Sequence, residues 1–202
     1  MAVDEDHKAQ LHRYLQIGRD AVLWKLDGLS EYDARRPLVP SGTNLLGLVK
    51  HLASVEVGYF ADTFDRPFGE AMPWWSDDAE PNDDLWATAE ESREWVVSFY
   101  RRAAAHADAT ITELDLDAPG SVPWWPEGGR DVTLHQVLVH VLAETHRHAG
   151  HADILRELID GAIGFRAGND NLPREDEAWW AAYRERLEQV ARVVGADGTA
   201  GC

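Results

Sequence analysis

Histidine is the residue type in this sequence with the most chemistry to offer. Five of its nine histidines fall in one stretch: His135, His140, His146, His148 and His151. On a helix each residue advances the side-chain direction by about 100°. Relative to His140, Glu144 then stands at about 40°, His148 at about 80° and His151 at about 20°, so these four share one stripe. His146 and His135 fall on the far side, and His146 is expected to be solvated. Glu144 and His148 are four residues apart and are therefore neighbours on the stripe. A carboxylate and an imidazole at that spacing can share a divalent cation.

A mononuclear site needs at least one more ligand from elsewhere. His51 offers itself in the run Val49-Lys50-His51-Leu52-Ala53. Leu48 and Val55 share its helical face, so His51 should point into the interior, where an imidazole needs a partner. Each signal also has an ordinary reading. A single inward histidine is often a hydrogen-bonded core residue, and a Glu–x3–His pair is often a solvated ion pair. The joint pattern favours a metal, but the residues alone leave the third ligand open between His140 and His51.

Two tryptophan pairs, Trp74-Trp75 and Trp124-Trp125, sit in segments rich in proline and glycine. We read them first as plugs for the bundle ends, with a pocket mouth near the metal as the alternative. Arg147 and Arg156 follow on the histidine-rich helix, where either could hold an anionic substrate group. A helix C-terminal half favours cations in any case.

The periodicity that must position these groups is helical nearly throughout. Helices are expected from about His7 to Leu26, Leu45 to Phe64, Asp84 to Ala107, Thr133 to Ile159 and Asp176 to Val194. One further short turn is expected before Pro37. Pro40-Ser41-Gly42-Thr43-Asn44 supplies capping side chains for the second long helix. Asp65 to Asp84 and Asp115 to Arg130 read as long loops, and loops of that length often carry function. No convincing strand alternation is present. The expected architecture is all-α: a four-helix bundle over residues 1–195 with one additional C-terminal helix, then a flexible tail at 196–202.

Composition narrows the partners. Nineteen basic against 36 acidic residues give a formal charge of −17. Such a surface repels phosphate backbones and anionic lipid, so neither nucleic acid nor a membrane is an expected partner. Hydrophobic residues make up 45% of the chain and nine are Trp, which argues for a packed core against disorder. The lone cysteine, Cys202, allows no internal disulfide and no cysteine zinc site. No apolar run reaches membrane-spanning length and the first residues are acidic, so a cytoplasmic location is expected. The basic residues are 16 Arg and only 3 Lys, a bias typical of GC-rich genomes.

Three segments carry a family resemblance: Gly28-Leu-Ser-Glu-Tyr-Asp-Ala-Arg-Arg-Pro37, Ser41-Gly-Thr-Asn-Leu-Leu-Gly-Leu-Val-Lys-His51-Leu, and Ala143-Glu-Thr-His-Arg-His-Ala-Gly-His-Ala-Asp-Ile-Leu-Arg-Glu157. Together they resemble the DinB superfamily, and within it the DUF664 branch, related to the N-terminal domain of mycothiol-dependent maleylpyruvate isomerase. The resemblance runs from about residue 10 to about 190. It implies a DinB-like bundle with a divalent metal, zinc or nickel, held by one histidine from the second helix and two residues four apart on a later one. The matching positions are His51, Glu144 and His148, with His140 dropping out. His151, one turn beyond His148, is implied as a proton-transfer or ligand-supporting residue.

Relatives in the superfamily transfer low-molecular-weight thiols, and the Arg-rich composition suits an actinobacterial source, where the thiol is mycothiol. The resemblance therefore implies a metal-dependent S-transferase that joins mycothiol to a small-molecule electrophile. The isomerase carries a second domain for which this chain is too short, so isomerisation is not the expected reaction. Other readings are a non-catalytic metal-binding stress-response or small-molecule-binding bundle, and metal-dependent hydrolysis with His151 or a carboxylate as base. A homodimer is one arrangement open to bundles of this kind.

Overall fold

The computed structural model describes residues 2–76 and 78–197, and divides the chain into two compact units, residues 1–170 and 171–202. Among the described residues the first unit holds five α-helices: α1 (Ala2–Trp24), α2 (Glu31–Arg35), α3 (Leu45–Phe60), α4 (Arg93–Glu113) and α5 (Leu134–Asp160). It also holds a short antiparallel ribbon of β1 (Pro119–Ser121) and β2 (Asp131–Thr133). The second unit contributes α6 (Glu177–Asp197), on which Trp179 stacks with Tyr183 at 5.3 Å between ring centroids. The all-α expectation is met, apart from the three-residue strands. Helix α6 continues through Asp197 into the expected tail. The rest of that tail, Cys202 included, lies outside the described residues.

Contacts along the helices give their directions. His12 of α1 bonds Asp108 of α4, and Arg93 at the other end of α4 bonds the Leu26 and Leu29 carbonyls just beyond α1, so α1 and α4 are antiparallel. Lys50 of α3 reaches Glu91 just before α4, while Thr110 near the far end of α4 donates to the Phe60 carbonyl, so α3 and α4 are parallel. His51 meets His148 and Tyr59 meets His140, so α3 and α5 are antiparallel. The bundle runs down-up-up-down. The parallel α3–α4 pair requires a crossover the length of the bundle. The segment between Phe60 and Arg93 supplies it.

Local signals place the helix ends. Asn44 accepts from the Gly47 amide at the start of α3, and Ser92 accepts from the Trp95 amide at the start of α4. Thr133 and Gln136 form a reciprocal capping box on α5. Two expectations are corrected here. The second long helix stops at Phe60, and a 3-10 turn covers Asp62–Phe64. The third begins at Arg93 rather than near Asp84, because tertiary hydrogen bonds engage the backbone of the preceding stretch. Lys50 Nζ donates to the Asp83 and Trp86 carbonyls, both at 3.0 Å, and to Glu91 at 2.9 Å. Asn44 takes the Leu85 carbonyl, and Arg35 takes those of Ala87, Thr88 and Glu91. These bonds from other elements hold the stretch in a non-helical path and satisfy its carbonyls there.

The core contains charge as well as Leu and Val. Arg19 and Glu56, each 1% exposed, form a two-bond pair at 2.6 and 2.7 Å across α1 and α3, and Arg19 also reaches Asp108 at 2.6 Å. Buried charges persist where they are paired and hydrogen-bonded in this way. Lys25 bonds Asp153 and the Gly164 carbonyl, fixing α1 to α5 and the turn after it.

Candidate metal centre

Helix α3 presents His51 to α5, and α5 answers with Glu144 and His148. One ligand atom from each of the three lies within 4.8 Å of the others. The geometry has a simple logic. His51 Nε2 is 3.6 Å and His148 Nε2 is 2.9 Å from the same atom, Oε1 of Glu144. The opposite nitrogens face away and are held from outside. His51 Nδ1 is 2.6 Å from Asp84 Oδ2, and His148 Nδ1 is 3.3 Å from His151 Nδ1. The two imidazoles meet edge to face with centroids 4.8 Å apart.

Electrostatics follow from this packing. Burial disfavours the charged forms of both Glu144 and Asp84, but the neighbouring histidines outweigh it and hold both carboxyls below their ordinary range. His148 is held low by burial and by the charge of His51, against the pull of Glu144. Its neutral form, the one that ligates a metal, is therefore favoured.

The donor set suits a divalent cation. Two imidazole nitrogens and one carboxylate oxygen form the ligand set of open zinc sites, which keep a further position for substrate. Among the described residues the cluster comprises these three donors. The Asp84–His51 pair is the arrangement in which a carboxylate fixes the tautomer and ring orientation of a ligating histidine. Asp84 was not singled out by sequence reasoning. It stands in the loop that the reading took as the first turn of a helix. No local signal marks it, since its partner is 33 positions earlier in the chain.

The other singled-out residues separate clearly. His140 is half-buried one turn before Glu144, in an aromatic group with Tyr59 at 4.7 Å and Trp125 at 5.2 Å. His135 is exposed, off the stripe as expected. His146, expected to be solvated, is instead half-buried and 3.0 Å from the Tyr14 carbonyl of α1. Helix α5 packs against α1 on that side. Arg156 is buried and fully engaged with Asp160 and the carbonyls of Lys25 and Asp27, so it holds the end of α1 rather than a substrate. Arg147 is exposed.

The tryptophan pairs split. Trp74 is buried and donates to Ser54 Oγ at 2.8 Å, so it plugs the α3–α4 interface. Trp125 is half-buried and donates to the Tyr59 hydroxyl at 3.1 Å. Trp75 and Trp124 are exposed and meet edge to face at 6.2 Å.

A sequence profile of the mycothiol-S-transferase family matches residues 10–161, the stretch from early α1 through α5 that contains all three donors. No individually curated protein matches the chain. With that much of the 202 residues matched, the chain belongs to the mycothiol-S-transferase family.

Proposed function

We propose that this protein joins a low-molecular-weight thiol, mycothiol, to a small electrophile, and that His51, Glu144 and His148 hold the divalent cation on which the reaction depends. Zinc is the first candidate for the cation, with nickel as the alternative. One observation carries the reading: both Nε2 atoms converge on Glu144 while both Nδ1 atoms are held from behind by Asp84 and His151. A structural pair of core histidines has no need of that shared orientation. A divalent cation in this setting would stabilise the thiolate form of the thiol, the nucleophilic form, at neutral pH.

The protein's own residues have separate tasks. Asp84 accepts a hydrogen bond from His51 Nδ1–H and so leaves Nε2 with the free lone pair. Glu144 places one negative charge between two imidazoles and balances part of the cation's charge. His151 is exposed and accepts from His148 Nδ1, which fixes the His148 ring. The exposed His151 ring is our candidate for passing the thiol proton to solvent. In transfer to a halide electrophile, the sulfur–carbon bond forms and the carbon–halogen bond breaks. The halide leaves with the electron pair, and the thiol proton leaves by way of His151 or water.

The resemblance of the three segments at 28–37, 41–52 and 143–157 is the basis on which we place the chain near the N-terminal domain of the maleylpyruvate isomerase. No helix among the described residues is long and apolar enough to cross a membrane. The test of the function is direct. Zinc- or nickel-loaded protein is mixed with mycothiol and bromobimane, and the fluorescent conjugate is followed against the protein-free rate. Conjugation well above that rate is expected. A rate equal to the background with every metal tried would refute the transferase reading.

A further inference from the structure

The seam between α3 and α5 continues past the three donors into a wall of aromatic rings. On α3, Gly58 lies seven residues after His51, which places it within about 20° of the same face and about 10 Å along the axis. On α5, His140 lies one turn, about 6 Å, before Glu144 on the same stripe. The antiparallel pairing brings these two positions to the same stretch of the seam.

Each residue there is held in place. Trp124 lies directly on the Gly58 backbone: a Cβ at position 58 would come within 2.8 Å of its ring, so the close approach depends on glycine. Tyr59 meets Trp124 edge to face at 5.2 Å and packs against His140 at 4.7 Å. Trp75 closes the group from the crossover loop. The loop carrying Trp124 is pinned by the bond from the Val122 amide to the Arg130 carbonyl and by Arg130 on the Trp125 carbonyl. Yet Trp75 stays 38% and Trp124 43% exposed. Two large rings are thus fixed in place and open to solvent, on the face of α3 that carries His51.

We propose that Trp75 and Trp124, backed by Tyr59, form the binding platform for the second substrate, and that this substrate is a planar aromatic or conjugated electrophile. The inference rests on the thiol-transfer reading of the site. Flat rings stack on or edge against indole with favourable quadrupole geometry. The separation of about 6 to 10 Å along the seam suits one or two fused rings, with the reactive carbon reaching back toward His51 and Glu144. Small aliphatic electrophiles gain nothing from the platform, so the two classes should differ in KM.

The experiment compares wild type, Trp75→Ala/Trp124→Ala, Trp124→Phe and Gly58→Ala, all metal-loaded. Equilibrium dialysis measures binding of a halogen-free bimane, which cannot react, and kinetics measure KM for bromobimane, iodoacetamide and mycothiol. In the double variant, the bimane Kd and the bromobimane KM should both rise about tenfold. The KM for iodoacetamide and for mycothiol should stay within about twofold. Trp124→Phe should keep most of the affinity. Gly58→Ala, which pushes the ring away, should lose it without removing a ring. Unchanged bimane affinity in the double variant and in Gly58→Ala overturns the platform, even where transfer is intact. Trp-dependent bimane binding without any transfer supports the platform and refutes the transferase reading instead.

Discussion

Glu144 and His148 are legible in the sequence because an (i, i+4) pair is a local pattern. His51 is harder. Periodicity alone leaves it level with His140, since both sit inward on their helices, and only the family resemblance favoured it. The structure separates them: His140 packs among Tyr59 and Trp125, whereas His51 faces Glu144. Asp84 was invisible for a different reason, because it is one of seven carboxylates between Asp65 and Asp84 and is set apart from the others only by the fold. Its role can be measured. Asp84→Asn cannot accept from His51 in the same way at both oxygens, and metal affinity should fall about 10- to 100-fold. Competition with a chromogenic chelator reads this directly, while circular dichroism should show the helices unchanged. Equal affinity in the variant would remove Asp84 from the site.

The elements that carry the donors were read well in the middle and poorly at the crossover. Helix α5 was found almost to the residue because its capping box and its terminal Gly161 are local signals. The start of α4 was misplaced by nine residues, from Asp84 to Arg93, because Lys50, Asn44 and Arg35 claim the backbone of the intervening loop from other elements. No propensity reports such distant bonds. The same packing yields a prediction about Gly47. A Cβ there would come within 1.8 Å of the Leu85 carbonyl, so the loop and α3 touch through this glycine. Gly47→Ala should destabilise the fold by about 1–3 kcal/mol, the usual cost of overpacking. It should also weaken metal binding, because Asp84 sits one residue from the displaced carbonyl. Urea denaturation with and without zinc separates the two effects. Stability and affinity both equal to wild type would show that the loop does not bear on α3 as described.

For the whole molecule, composition and periodicity were enough for the all-α class, but not for the down-up-up-down order, which depends on the path of one long crossover. Carboxyls that gain cationic partners on folding contribute to the acid behaviour. Asp108 shows the sign. Burial raises its carboxyl, but His12 and Arg19 prevail and hold it below the ordinary value. A carboxyl depressed on folding stabilises the protein above its unfolded pKa and loses that contribution as pH falls through its folded value. Asp108→Asn should therefore melt below wild type at pH 7, and the gap should close at pH values under the ordinary carboxylate range. A gap that persists in acid would assign the effect to packing instead. The central claim is that α3 and α5 together build one metal site. The most direct measurement is zinc bound per chain, by mass spectrometry of dialysed wild type, His51→Ala and His148→Ala. The structure leads us to expect about one equivalent in the wild type and near zero in both variants, with helical content retained. Full occupancy in either variant would contradict the account.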